Sequence, residues 1–147
     1  VTTAPATIDI AAMAARLRLG VTRLARKLRQ EAEPGITPSM LAAMSSLARL
    51  GPLTMRDLCA AEQVQPPTMT RVVHALVEAG LVTRTPDPDD GRVAWIGLSA
   101  KGDKLLERSR RRKEAYLARA LGRLEPRELA VLEDAAAILE RLTGAAP

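Results

Sequence analysis

Apolar residues recur along most of this chain at steps of three and four. They alternate with polar ones in only one place. Met13, Leu17, Val21, Leu24 and Leu28 fall on one stripe of a helix that begins near Ile8, because 3.6 residues per turn bring those steps to one face. Arg16, Arg23, Arg26, Lys27 and Arg29 lie mostly off it. Residues 1–7 show no such pattern and are expected to fray. The stretch "EPGITPS" ends the helix with Pro34, Gly35 and Pro38. Thr37 then suits an N-cap and Pro38 a first helical position, opening a second helix that reaches about Leu50, where Gly51-Pro52 stops it. Thr54 is the next N-cap, for a short helix that should bury Met55, Leu58 and Ala61. After a turn at Val64-Gln65, Pro66 and Pro67 open a helix running to Ala79, with Gly80 as its C′ residue.

The alternating place follows directly. "LVTRT" and "RVAWIGLS" flank "PDPDDG", two β-branched runs about a turn-rich tip, which predicts a β-hairpin with a long loop. Ser99 caps a long helix over roughly Ala100–Leu121, and Gly122 and Pro126 punctuate it. A last helix, about Pro126–Leu142, carries Leu129, Leu132, Ala136, Leu139 and Leu142. The expected architecture is mainly α. Short helices and one hairpin occupy the centre, and long amphipathic helices stand at both ends.

Composition sharpens this. Trp95 and Tyr116 are the only aromatic residues of the 147, so the core must come from Leu, Val, Ile, Ala and Met. The 22 basic residues, mostly Arg, exceed the 17 acidic ones by 5, a balance that suits a polyanionic partner. One cysteine, Cys59, excludes an internal disulfide and a cysteine-rich zinc site and fits a reducing compartment. No metal or other cofactor is expected. One His, one Cys, no Gly-rich phosphate loop and no paired carboxylates make a poor inventory for an enzyme. No apolar run reaches the length of a membrane span, and the start of the chain lacks signal-peptide features. A cytoplasmic protein is expected.

The Pro66–Ala79 helix carries the candidate chemistry. Met69, Val72, Val73 and Leu76 share one face and can be buried, while Pro67, Arg71, His74 and Glu78 lie opposite and Thr68 and Thr70 flank them. Arg can fork onto guanine, and Thr can meet a base edge or a thymine methyl. In a helix-turn-helix the start of the second helix enters the major groove. For an isolated helix, a merely solvated polar face is the simpler explanation. The hairpin arriving straight after this helix favours the nucleic-acid reading.

The segment from Pro66 to Gly102 resembles the MarR family of winged helix-turn-helix transcription regulators. The resemblance rests on Thr68, Thr70, Arg71, Leu76, Gly80, Leu81, Val82, Arg84, Asp87, Pro88, Asp90, Arg92, Leu98, Ser99 and Gly102. It implies a single chain, 1–147, with a winged DNA-binding lobe at 36–100 and dimerisation helices at 8–31 and 101–143. The hairpin would be the wing, with Arg92 entering the minor groove, where a narrow groove concentrates negative potential. Asp90 would hold the guanidinium by a forked bond, and Asp87 and Asp89 would shape the turn. Thr68, Thr70, Arg71 and His74 would read the major groove, and Arg84, Thr54, Ser39 and Lys101 would meet phosphates. The chain departs from the family pattern twice: Gly91 stands where many members carry a second arginine, and Gln65 where a capping Ser is common.

The resemblance also implies a homodimer on a pseudo-palindromic double-stranded operator, acting as a repressor relieved by a small aromatic or phenolic anion. Ile8, Met13, Leu129, Val131, Leu132, Ile138, Leu139 and Leu142 are candidates for the intersubunit bundle. Arg16, Arg23 and Met44 are candidates to line a ligand crevice. A helical protein-interaction module would explain the amphipathic ends but leaves Arg71 and Arg92 unused. A redox regulator using Cys59 is the other alternative, although a buried, inert thiol fits its apolar neighbours better. The run "RSRRRK", Arg108–Lys113, reads as the solvated face of a long helix.

Overall fold

The computed structural model describes residues 8–144, so the expected fraying of residues 1–7 lies outside the described residues. The elements are α1 (Ile10–Gln30), α2 (Pro38–Leu50), β1 (Leu53–Thr54), α3 (Met55–Glu62), α4 (Pro66–Glu78), β2 (Val82–Pro86), β3 (Ala94–Leu98), α5 (Ala100–Leu121) and α6 (Pro126–Thr143). Side-chain caps set most of these starts. Thr37 accepts the Met40 amide at 3.2 Å, Thr54 the Asp57 amide at 3.2 Å, and Ser99 the Gly102 amide at 3.0 Å. Each satisfies a backbone N–H that has no partner within its helix. Asp9 does the same for Ala12 at 3.1 Å, which starts α1 two residues after the expected Ile8. Gln65 provides no such bond, so α4 opens on Pro66 alone.

The sheet has the order β1-β3-β2 and is antiparallel throughout. The hairpin was expected; β1 was not, since two residues are too few to show alternation. Leu53 and Thr54 pair with Ile96 and Trp95, anchoring the hairpin to the start of α3. One core joins these pieces. Met40, Ala43, Met44 and Leu47 of α2 meet Leu58 of α3, Met69, Val73 and Leu76 of α4, Leu81, Val82 and Ile96 of the hairpin, and Leu105 of α5. Ala61, expected inside, is exposed. The inward position in that last turn of α3 is taken by Glu62, whose carboxylate accepts a hydrogen bond from the buried Ser46 hydroxyl. Val72 and Cys59 are half-buried at the edge of the core.

The start of α5 is locked to the end of α4. Gly80 takes φ +70°, the left-handed conformation that ends a helix cheaply only at glycine. Ser99 donates its amide to the Leu81 carbonyl at 3.0 Å and its hydroxyl to the Gly80 carbonyl at 2.7 Å. At Gly102 a Cβ would stand 2.1 Å from the Leu81 carbonyl oxygen, so only glycine lets the two backbones approach this closely. A forked ion pair from Arg108 to Glu33, at 2.7 and 3.2 Å, ties α5 to the connection before α2. In contrast, α1 and α6 contain no buried residue.

Candidate nucleic-acid interface

The outward face of α4 is the one anticipated. Pro67, Thr68, Thr70, Arg71, His74 and Glu78 are all exposed, while Met69, Val73 and Leu76 are buried. The amphipathic stripe thus decides the helix's rotation: apolar contact with α2 and α3 turns the Thr-Arg-His face to solvent. Thr70 donates its hydroxyl proton to the Pro66 carbonyl at 2.8 Å. Toward a base edge it therefore presents lone pairs and a methyl group, not a donor.

Arg84 links this face to the wing. Thr70, Arg71, His74 and Arg84 line one shallow cleft of about 320 Å³ between α4 and β2. Arg84 also lines a second cleft of about 440 Å³, with Thr54, Arg56 and Arg92. Arg84 thus borders both the cleft that holds Arg71 of α4 and the cleft that holds Arg56 and Arg92, with Asp57 also lining the second. Arg56, at the start of α3, was not anticipated. Its pattern position is an ordinary polar site of a short helix, and only the packing of β1 onto β3 brings it beside the wing.

At the tip, Arg92 projects with 92% of its side chain exposed. Asp90 does orient it, but not by a fork. One carboxylate oxygen, Oδ1, accepts both the Arg92 amide at 3.0 Å and its Nε at 3.2 Å. Asp87 lies deeper. Its Oδ2 accepts the Trp95 indole N–H at 2.7 Å, and its Oδ1 accepts the amides of Asp89 and Asp90 at 2.9 and 3.0 Å. The indole bond foremost, then the two amides, hold this carboxyl below its ordinary range. Asp87 is thus turn chemistry, as expected, while Asp89 contributes its amide.

The remaining candidates are scattered. Ser39 is exposed in the first turn of α2. Thr54 spends its hydroxyl on capping, donating to Asp57 Oδ2 at 2.8 Å. Lys101 is exposed and donates to the Ala79 carbonyl at 2.8 Å, at the far end of α4 from Thr68, where it closes the helix C-terminus. Arg16 and Arg23 are exposed on α1, but Met44 is fully enclosed in the core and has no surface to offer a ligand. The basic run on α5 is largely paired: Arg110 and Arg111 both reach Glu107 at 2.8 Å, and Arg108 holds Glu33. No helix among the described residues is long and apolar enough to cross a membrane.

Comparison with known proteins agrees with this geometry. The family model for the MarR family matches residues 36–94. An uncharacterized HTH-type transcriptional regulator of Mycobacterium bovis is 36% identical over 138 residues, 93% of this chain and 96% of its own. The HTH-type transcriptional repressor MdtR of Bacillus subtilis is 28% identical over 118 residues, 77% of this chain and 76% of its own. The structure of a MarR family protein from Bacillus stearothermophilus superposes with a TM-score of 0.77 at 26% identity, covering 96% of this chain and 99% of that one. With its helix-turn-helix, its hairpin and its long end helices matched over nearly the whole length, the chain belongs to the MarR family of DNA-binding, winged helix-turn-helix transcription regulators.

Proposed function

We propose that this regulator is a homodimeric repressor that grips a pseudo-palindromic operator with two recognition helices and two wings. The observation that carries the reading is Arg84, which lines both the cleft beside Arg71 on α4 and the cleft beside Arg92 on the wing. Arg71, Thr68, Thr70 and His74 read base edges in the major groove. Arg92 enters the minor groove, and Arg84, Arg56 and Ser39 meet phosphates on either side. Thr54 and Lys101 act indirectly, by capping helices.

Pairing of two copies is supported by the uncovered apolar surface of the end helices. Met13, Leu17, Val21 and Leu24 of α1 and Leu129, Val131, Leu132, Ile138 and Leu142 of α6 are all exposed in the single chain. Apolar stripes of this length on both end helices favour a partner that covers them. Relief by a small aromatic or phenolic anion is supported by a cleft of about 690 Å³ between α2 and α5. Leu41, Ala48 and Leu106 give it apolar walls, and Arg49 and Lys113 give it cations beyond the Arg110–Glu107 pair and Asp103, which also line it. The Bacillus subtilis relative MdtR is itself a repressor, which supports that role here.

The test is selection of bound duplexes from a random pool, followed by titration of the selected site with wild type, Arg71→Ala and Arg92→Ala. Arg92→Ala should weaken binding with the dimer intact. Arg71→Ala should lose roughly 1–3 kcal/mol of discrimination at one base pair. Unchanged affinity for Arg92→Ala would overturn the wing assignment. Candidate aromatic acids added to the same titration test relief.

A further inference from the structure

The wing loop, residues 87–93, contains a bond network that neither base reading nor subunit pairing uses. The Asp87 amide donates to the Val93 carbonyl at 2.9 Å, and the Val93 amide donates to the Asp90 carbonyl at 2.9 Å. These close the loop at its base. The Asp87 carboxylate then binds the tip from inside through the Asp89 and Asp90 amides, and Trp95 of β3 holds that carboxylate through its indole N–H. Among the described residues, Trp95 makes the one side-chain hydrogen bond from a strand into this loop. The turn so fixed places the Asp90 carboxylate, which takes both the amide and the Nε of Arg92. Orientation therefore passes from Trp95 to Asp87, from Asp87 to Asp90, and from Asp90 to Arg92.

Charge points the same way. A carboxylate beside DNA repels phosphate, so Asp87 is a poor surface residue for this protein. Both of its oxygens instead accept hydrogen bonds from the wing itself. Gly91, one residue before the arginine, would otherwise leave the tip loose.

We propose that Asp87 and Trp95 are positioning residues for Arg92: their indole–carboxylate bond holds the wing loop in the conformation that presents the guanidinium to the minor groove. The proposal rests on the reading of Arg92 as the groove-entering residue. Pre-ordering the tip reduces the freedom that Arg92 loses on docking.

The experiment compares operator affinity and thermal midpoint for wild type, Trp95→Phe, Arg92→Ala and the double variant. Phe keeps an aromatic ring and removes the N–H donor together with part of the indole's packing area, and the thermal midpoint reads the packing loss separately. Trp95→Phe should weaken binding roughly two- to tenfold, the size of one lost hydrogen bond. In the Arg92→Ala background it should cost no further affinity, whereas its effect on the thermal midpoint should be the same in both backgrounds. A residue that merely supports the fold would lose the same factor with or without Arg92, and that result, or no loss at all, overturns the proposal. If Arg92→Ala alone leaves affinity unchanged, the wing reading itself fails, and the positioning role falls with it. Asp87→Asn provides the second variant, since the amide has one acceptor oxygen where the carboxylate serves the indole on one side and the Asp89 and Asp90 amides on the other, so either way round one side meets donor to donor. It should cost at least as much as Trp95→Phe, with the two effects not adding, and an Asp87→Asn effect without a Trp95→Phe effect would sink the pairing.

Discussion

Single residues in the wing show how acidic groups sit on a surface meant for a polyanion. Both oxygens of Asp87 and one of Asp90 are turned onto N–H donors of the hairpin, so their charge is spent on shape. Gly91 is the open position beside them. Its φ is not left-handed, and a Cβ there would meet nothing within 4 Å. Gly91→Arg is therefore sterically free and adds a cation at the tip. It should tighten binding to random duplex and steepen the slope of log affinity against log salt by about 0.9, one counterion's worth. An unchanged slope would mean that the tip stays away from phosphate. Much of this surface was legible in residue types, since Arg71, His74 and Arg92 stand exposed where the pattern places them. What residue type could not reveal is which polar atoms are already engaged. Thr54, Thr70 and Lys101 look as available as their neighbours until Asp57, Pro66 and Ala79 are seen to hold them.

At the scale of elements, capping chemistry made the starts of α2, α3 and α5 predictable, because Thr37, Thr54 and Ser99 each serve a backbone amide three residues on. Strand β1 was invisible because its existence depends on a partner far along the chain, not on its own two residues. The junction of α4, β2 and α5 is where elements constrain one another most. Gly102→Ala would drive a Cβ against the Leu81 carbonyl, a clash with backbone that no rotamer change relieves. The expected cost is about 1–3 kcal/mol, the usual range for overpacking, read as a lower denaturant midpoint with unchanged slope. A variant as stable as wild type would show that α5 shifts away from the wing root without penalty.

For the whole molecule, the contrast is between a lobe with its own core and end helices without one. The apolar stripes of α1 and α6 were plain in the sequence, but a single chain cannot show what covers them. Leu132 is 44% exposed on α6, within that stripe. Leu132→Glu should convert a dimer into a monomer by sedimentation and weaken operator binding, while helix content in the winged lobe persists. The wild-type thermal midpoint should rise with protein concentration, as subunit association requires. A concentration-independent midpoint, or a Leu132→Glu variant that remains dimeric, would place the pairing surface elsewhere. One arrangement inside the lobe has a practical consequence. The chain's single tryptophan sits on the wing, while Tyr116 lies on α5. Light at the red edge of indole absorption therefore excites only the wing, so the unlabelled protein carries its own optical probe of the docking proposed for that hairpin.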